Sequence, residues 1–204
     1  MLFFSFFVKA GDHHIRKQAA NTPEQKIHAS NIFIHQDFKP QTLINDIALI
    51  KLQRDAILNR YVRMVCLPKD SKEDLATTGD HGFVAGWGIT EKRVQSNVLR
   101  HTALPVQDNA LCKNSTKFRV NMTHVFCAGD GKGGNDTCSG DSGGPFVRER
   151  YEKRSNDYRW IQVGLVSWGP TDCGQKNTYG FYTRTASYID WIKNTKKDNS
   201  GDDA

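Results

Sequence analysis

Short apolar segments, separated by clusters of Gly, Pro, Asn and Asp, recur along this chain at intervals of roughly ten residues. Segments of this length and spacing are typical of strands in an all-β domain. The pattern predicts strands over residues 32–35, 46–52, 82–87, 99–106, 144–147 and 160–168. The sequence therefore predicts an all-β fold.

Helical periodicity is convincing only near the carboxyl end, over residues 187–195. A helix there would place Tyr188, Trp191 and Ile192 on one face. Ser187 is expected to cap the amino end of this helix, because its hydroxyl could accept a hydrogen bond from a free backbone N–H.

The chain is expected to form one domain over residues 1–195, because no internal repeat or linker interrupts it, followed by a polar tail over 196–204. Residues 1–8 are apolar, but no basic residue precedes them and they lack the small-x-small cleavage site of a secretory signal peptide. A strand of a core that begins further upstream fits them better, because residues 8–11 continue as a strand that enters a turn.

The composition is that of a soluble globular domain, with 38% hydrophobic and 25% charged residues among 204. The net charge of +6 comes from 28 basic and 22 acidic side chains, and much of the basic excess lies in short stretches typical of solvated loops. No nucleic-acid-binding motif accompanies this charge, so no nucleic-acid partner is expected. No later apolar run approaches the roughly 18 residues that a membrane span requires, so no membrane association is expected.

Five cysteines and three Asn-x-Ser/Thr sequons favour an extracellular, secreted glycoprotein. The sequons begin at Asn114, Asn121 and Asn135. Because the cysteine count is odd, pairing of the others would leave one thiol whose role needs a separate explanation.

The strongest chemical feature is the segment 136–145, Asp-Thr-Cys-Ser-Gly-Asp-Ser-Gly-Gly-Pro. Its three glycines allow a tight turn that leaves Ser142 projecting, with backbone N–H groups directed toward one point. Acyl transfer requires this arrangement, because the attacking hydroxyl must lie beside donors that stabilise the oxyanion. The expected nucleophile is Ser142, and the expected oxyanion donors are the N–H groups of Gly140 and Ser142.

This segment resembles the nucleophile motif of the chymotrypsin/trypsin family of serine proteases, Gly-Asp-Ser-Gly-Gly-Pro, which residues 140–145 match. The resemblance extends over nearly the whole chain, from about residue 8 to residue 195. Asp46, in Asn-Asp-Ile-Ala-Leu-Ile, matches the motif that supplies the aspartate of the catalytic triad. The resemblance implies a double six-stranded antiparallel β-barrel, a serine endopeptidase activity, and no metal or cofactor.

The resemblance also implies a substrate preference. Asp136, six positions before the nucleophile, corresponds to the base of the specificity pocket, where a buried carboxylate would require a cation to pair with. Cleavage after Arg or Lys is therefore implied. Ser167 and Trp168 are expected to pair, together with Gly169, with the substrate backbone as an added strand. Gly169 and Gly180 match the small residues of the pocket walls.

The family pattern implies disulfides between Cys112 and Cys127 and between Cys138 and Cys173, which leaves Cys66 over. Family members with a cysteine at that position use it to hold an upstream chain after activation cleavage, and a free buried thiol is the alternative. Cys66 and the long insertion over residues 148–159 are most similar to mosaic complement-type proteases, such as those of the lectin pathway and the C1 complex.

The family's general base is absent from the expected position. It is a histidine in an Ala-Ala-His-Cys segment about 45 residues before the aspartate, and counting back from Asp46 reaches the start of this chain. None of the seven histidines carries that motif. The Ile-Val-Gly-Gly type of amino terminus, whose freed amino group would pair with the zymogen-switch residue Asp141, is also absent, so Asp141 is expected to have no evident partner.

Three interpretations remain at this point. The first is an amino-terminally truncated Arg/Lys-specific endopeptidase. Such a chain would be inactive alone because it lacks the catalytic histidine, and its first barrel would be incomplete. The second is a non-catalytic homologue that binds a partner, although such homologues commonly lose the nucleophile that is retained here. The third is an unrelated β-barrel binding module.

Overall fold

The computed structural model describes residues 6–16, 24–153 and 156–199, and its strands form two antiparallel sheets. The first sheet has the order β1-β2-β3, from β1 (Phe7–Ala10), β2 (Gln25–Ile34) and β3 (Ala48–Leu52). The second sheet has the order β5-β4-β7-β8-β9-β6, from β4 (His81–Gly86), β5 (Arg100–Pro105), β6 (Val125–Ala128), β7 (Pro145–Glu152), β8 (Asp157–Trp168) and β9 (Gly180–Arg184). The helices are α1 (Asn109–Asn114), a 3-10 turn (Thr185–Tyr188) and α2 (Ile189–Asp198).

The second sheet curls around a core built from alternating strand positions. Val84 and its register partner Phe146 lie inside on β4 and β7, and both are buried. Phe146 contacts Phe126 and Tyr182 edge-on, with ring centroids 5.2 and 5.0 Å apart. The two edge strands of this sheet are β5 and β6. A β-bridge between Val106, which follows β5, and Ala128 of β6 brings these edges together. The predicted all-β fold with a short carboxyl-terminal helix is confirmed.

The first sheet leaves apolar side chains exposed. Ile32 on β2 lies opposite Ile50 on β3, and these side chains are 41% and 50% exposed; Ile34 is 62% exposed. One face of an antiparallel sheet normally packs against a core. Among the described residues, three strands form this sheet, fewer than the six of the second sheet, and the incomplete first barrel stays a prediction.

One short helix was not predicted, and one predicted cap was wrong. Helix α1 was not predicted, because six residues are too few to show a helical period; Asp108 caps it by accepting hydrogen bonds from the N–H groups of Ala110 and Leu111 at 2.8 and 3.1 Å. Ser187 does not cap α2. Its hydroxyl instead donates to the carbonyl of Thr123 at 2.6 Å.

The ends of the chain can be compared with prediction only in part. The strand expected at residues 8–11 corresponds to β1, whereas residues 1–5 lie outside the described residues. Helix α2 continues to Asp198, so the first three residues of the predicted tail are helical; residues 200–204 lie outside the described residues. Across the described residues, no helix is both long and apolar enough to cross a membrane.

Candidate active site

The nucleophile segment forms a tight turn that presents Ser142 at the surface just before β7. Asp141 donates its N–H to the carbonyl of Cys138, and Gly144 donates to that of Asp141, both at 2.9 Å. Gly143 has φ +79°, a left-handed conformation that glycine adopts without steric cost. The Ser142 side chain is exposed, as an attacking hydroxyl must be.

Within this turn the backbone N–H groups fall into two sets. Those of Asp141, Gly143 and Gly144 are used in hydrogen bonds inside the protein. Those of Gly140 and Ser142, like that of Ser139, donate to no acceptor among the described residues. Two of the three unused donors therefore belong to the residues predicted to stabilise an oxyanion.

Strand β8 connects the nucleophile turn to Asp46. Gly143 donates its N–H to the carbonyl of Val166, and Val166 donates to the carbonyl of Gly144, both at 2.8 Å. The next residue, Ser167, donates its hydroxyl to Oδ2 of Asp46 at 2.6 Å. The turn that carries Ser142 and the carboxylate of Asp46, far apart in sequence, are therefore hydrogen-bonded to two consecutive residues of β8.

The backbone of Asp46 is also fixed by the second sheet. The hydroxyl of Thr183 on β9, which is buried, donates to the Asp46 carbonyl at 2.9 Å. Ser167 was predicted only as a substrate-binding residue, and its bond to Asp46 was missed. A serine within the apolar run 160–168 was the signal that could have indicated a buried hydroxyl in need of some polar partner, although not which one.

Asp136 is half-buried and accepts hydrogen bonds on both carboxylate oxygens. The N–H of Thr137 donates to Oδ1 at 2.8 Å, and the N–H of Gly174 donates to Oδ2 at 2.9 Å. Desolvation by burial is the main effect and raises the pKa of Asp136, against the two hydrogen bonds, while the negative charge of Asp141 raises it further. The attraction of a bound cation would offset both the cost of burying the charged carboxylate and its repulsion by Asp141.

The residues predicted as pocket walls lie together at the end of β8 and the start of β9. The rings of Trp168 and Phe181 stack with centroids 3.8 Å apart. A Cβ added to Gly169 would lie 3.7 Å from the Cα of Gly180. A Cβ added to Gly180 would lie 3.1 Å from Oγ1 of Thr137, beside Asp136 in the chain. Larger side chains at this position would therefore crowd the surroundings of Asp136.

Asp141 has partners, contrary to the expectation that it would have none. Its carboxylate accepts hydrogen bonds from the N–H of Gly88 at 2.8 Å and the N–H of Cys138 at 3.0 Å. A Cβ at Gly88 would collide with this carboxylate, so the glycine is required for the close approach. The reason for the error is that backbone donors can satisfy a carboxylate without any recognisable side-chain motif.

A cleft of about 610 Å³ opens beside Asp136 and Asp141. It is lined by residues from four segments, 84–93, 100–102, 134–141 and 171–175. Ser142, Gly169 and Gly180 are not among its lining residues. The cleft therefore reaches both aspartates without being lined by Ser142 or by the glycines predicted as pocket walls.

No histidine hydrogen-bonds to the Ser142 hydroxyl within the described part of the chain. His35 and His124 pack against Tyr188, with ring centroids 5.5 and 5.6 Å away. His13 and His14 pack against each other at 4.8 Å. The arrangement thus contains the exposed Ser142 hydroxyl, unused N–H donors and the Asp46 carboxylate, and no imidazole is hydrogen-bonded to the serine in the described residues.

Two disulfides brace this region. Cys138 is joined to Cys173, which ties the nucleophile turn to the segment whose Gly174 binds Asp136. Cys112 is joined to Cys127, which links α1 to β6. Cys66 is a free, half-buried thiol. The described residues contain no cluster of His, Cys, Asp or Glu that could hold a metal ion.

Comparison with known proteins gives the same assignment as the geometry. A family model described as Trypsin matches residues 5–192. Coagulation factor IX of Cavia porcellus is 34% identical over 187 residues, which is 90% of this chain and 62% of that protein. Serine protease 7 of Drosophila melanogaster is 37% identical over 181 residues, 86% of this chain and 44% of that protein. This chain spans less than two thirds of the length of either relative, and it belongs to the trypsin family, the chymotrypsin/trypsin-like serine proteases.

Proposed function

We propose that this chain is the greater part of an extracellular serine endopeptidase that cleaves after Arg or Lys, with Ser142 as nucleophile. The observation that carries the proposal is the continuous set of hydrogen bonds from the Ser142 turn through Val166 and Ser167 to the carboxylate of Asp46. A glycine-rich turn with only a structural role does not require a neighbouring buried serine that is hydrogen-bonded to a carboxylate. The two disulfides favour an oxidising, extracellular location.

In the proposed reaction, Oγ of Ser142 attacks the carbonyl carbon of the scissile peptide bond and its proton passes to an imidazole. The N–H groups of Gly140 and Ser142 would stabilise the resulting oxyanion, since both are unused in the protein. Collapse expels the amine, which takes the proton, and leaves an ester on Ser142. Water then attacks this ester with the imidazole as base, which releases the acid and restores the serine.

Asp46 would orient the imidazole and stabilise its charged form, with one oxygen held by Ser167. Asp136 would pair with the Arg or Lys side chain that precedes the cut bond. The raised pKa of the Asp136 carboxyl supports this role, because burial without a cation is unfavourable for the charged form. Trp168 and Gly169 would hold the substrate backbone, since the Gly169 N–H has no acceptor among the described residues.

We further propose that this chain alone is inactive, because no imidazole hydrogen-bonds to Ser142 in the described part of the chain. A histidine-bearing segment from outside this sequence would supply the base. A freed amino terminus would enter the cleft beside Asp141 and replace the N–H groups of Gly88 and Cys138 as its partner. Cys66, half-buried and unpaired, would join an upstream chain by a disulfide.

A non-catalytic homologue that binds a protein partner is the second candidate, and the absence of an imidazole at Ser142 favours it. The two are separated by incubating the purified 204-residue chain with an Arg-containing chromogenic peptide, and then repeating the assay with the protein extended by the histidine-bearing segment found in the upstream transcript. The proposed function predicts no turnover by the chain alone and hydrolysis by the extended protein, lost in Ser142→Ala. An in-frame stop upstream with no such segment would favour the homologue. Robust hydrolysis by the chain alone, abolished by Ser142→Ala, would contradict the need for an added histidine.

A further inference from the structure

The residue before Asp46 has an unusual backbone conformation. Asn45 has φ +57°, in the left-handed region that most L-residues avoid and that Asn tolerates best among the non-glycine residues. Its carbonyl accepts a hydrogen bond from the N–H of Ile47 at 2.9 Å, which closes a three-residue turn with Asp46 at its centre. The turn that presents the Asp46 side chain therefore begins at a residue held in the left-handed region.

Both polar atoms of the Asn45 side chain are engaged. Its Nδ2 donates to the carbonyl of Asp37 at 3.0 Å, and its Oδ1 accepts a hydrogen bond from the Tyr188 hydroxyl at 2.8 Å. One partner precedes Asn45 in the sequence, in the loop after β2. The other lies far after it, in the turn before the carboxyl-terminal helix. The amide is held at both ends.

Tyr188 is itself fixed by packing. It is 4% exposed and forms a buried cluster with Ile47, Ile189 and Ile192. The rings of His35 and His124 contact it. Burial, together with the charge of Asp46, raises the pKa of Tyr188 to about 12, so its hydroxyl remains a proton donor throughout the physiological range.

From this geometry we infer that Asn45 and Tyr188 are positioning residues, through which the carboxyl-terminal helix holds the Asp46 carboxylate against Ser167. The inference rests on the proposed function, in which Asp46 orients the imidazole. Thr183 and Ser167 hold Asp46 from the second sheet, whereas Asn45 and Tyr188 hold the turn that contains it. Release of the Asn45 amide lets the turn relax and moves the carboxylate away from the Ser167 hydroxyl.

The first test needs no catalytic activity and uses the 204-residue chain. Crystal structures of Asn45→Ala and Tyr188→Phe are compared with the parent and with Ser187→Ala, which removes a hydroxyl bond from the adjacent residue that does not involve Asn45 or Asp46. The 2.6 Å distance from Ser167 Oγ to Asp46 Oδ2 is expected to lengthen beyond hydrogen-bonding range in both test variants and to remain in Ser187→Ala. An unchanged distance in both test variants would overturn the inference. Tyr188→Phe keeps the buried ring, so the test can still be made if Asn45→Ala does not fold.

The second test measures kinetics in the protein extended by the histidine-bearing segment. Because Asp46 acts on the imidazole rather than on substrate binding, Asn45→Ala should lower kcat about tenfold with KM changed less than about twofold. Asn45→Asp keeps the acceptor for the Tyr188 hydroxyl and tolerates the same φ but loses the donor to the Asp37 carbonyl, so its kcat should lie between those of Asn45→Ala and the parent. Loss of stability without a fall in kcat, or an equal fall in Ser187→Ala, would contradict the positioning role. Absence of activity in the parent extended protein would refute the proposed function and leave the crystallographic test standing.

Discussion

Replacement of Ser167 by alanine removes one oxygen and should have a large effect for so small a change. The Ser167 hydroxyl donates to Oδ2 of Asp46 at 2.6 Å, and Ser167 is only 9% exposed. A hydrogen bond to a charged group contributes about 1.5–3 kcal/mol to the free energy of unfolding, and removal of one partner leaves the other imperfectly solvated. Because Asp46 is half-buried rather than fully buried, a loss of about 2 kcal/mol is expected.

For a chain of this size, a loss of that magnitude should lower Tm by about 4–8 °C. The free energy of unfolding is measured by urea titration with tryptophan fluorescence, and an unchanged urea dependence would show that the unfolded state is not altered. Ser187→Ala is the matched control, because it removes a hydroxyl bond of the same 2.6 Å length that ends on the neutral carbonyl of Thr123. The control should cost about 0.5–1 kcal/mol.

The interpretation of Ser167 would be refuted if Ser167→Ala destabilised the chain no more than Ser187→Ala. That result would mean that the contact with the Asp46 carboxylate contributes no more than a neutral hydrogen bond. Ser167 would then be left with the substrate-binding role predicted from the sequence, and the connection between the nucleophile turn and Asp46 would lose its energetic support.

Three further predictions concern the disulfide and the pocket. Replacement of both Cys112 and Cys127 by serine opens a loop of 15 residues and should lower the free energy of unfolding by about 3 kcal/mol in urea titration; a loss below about 1 kcal/mol would contradict it. Because the pKa of Asp136 is raised, benzamidinium binding measured by calorimetry should weaken as the pH falls through a value above the usual 3.8, and pH-independent binding would contradict pairing with this carboxylate. Gly180→Ala places a Cβ 3.0 Å from the Tyr182 hydroxyl and should weaken benzamidinium binding roughly tenfold, whereas unchanged affinity would remove Gly180 from the pocket wall.

The features that could be predicted from the sequence are those carried by local motifs. The strands follow from short apolar runs between turn residues, and the nucleophile turn follows from glycines whose conformations only they adopt readily. The residues around Ser142 were therefore identified from ten consecutive positions. Asp46 needed a second motif, because a single aspartate before a strand has no distinctive pattern.

The features that could not be predicted depend on contacts between distant parts of the chain. The bond from Ser167 to Asp46 joins β8 to the turn before β3, and no local pattern in either segment specifies the other. The partners of Asp141 are backbone N–H groups, which every residue except proline carries, so the sequence does not mark them. Ser187 satisfies the composition rule for a cap, but its hydroxyl donates to the carbonyl of Thr123 instead of accepting from a helix N–H, and this tertiary contact overrides the local preference.

The most direct test of the central claim is to extend the protein by the proposed histidine-bearing segment and to map the bonds that it cuts with a peptide library and mass spectrometry. Cleavage is predicted on the carboxyl side of Arg and Lys, absent in Ser142→Ala and shifted away from basic residues in Asp136→Ser. Cleavage by the Ser142→Ala variant at the parent rate, or cleavage after apolar residues with Asp136 intact, would contradict the assignment of Ser142 as nucleophile or of Asp136 as the residue that selects the substrate.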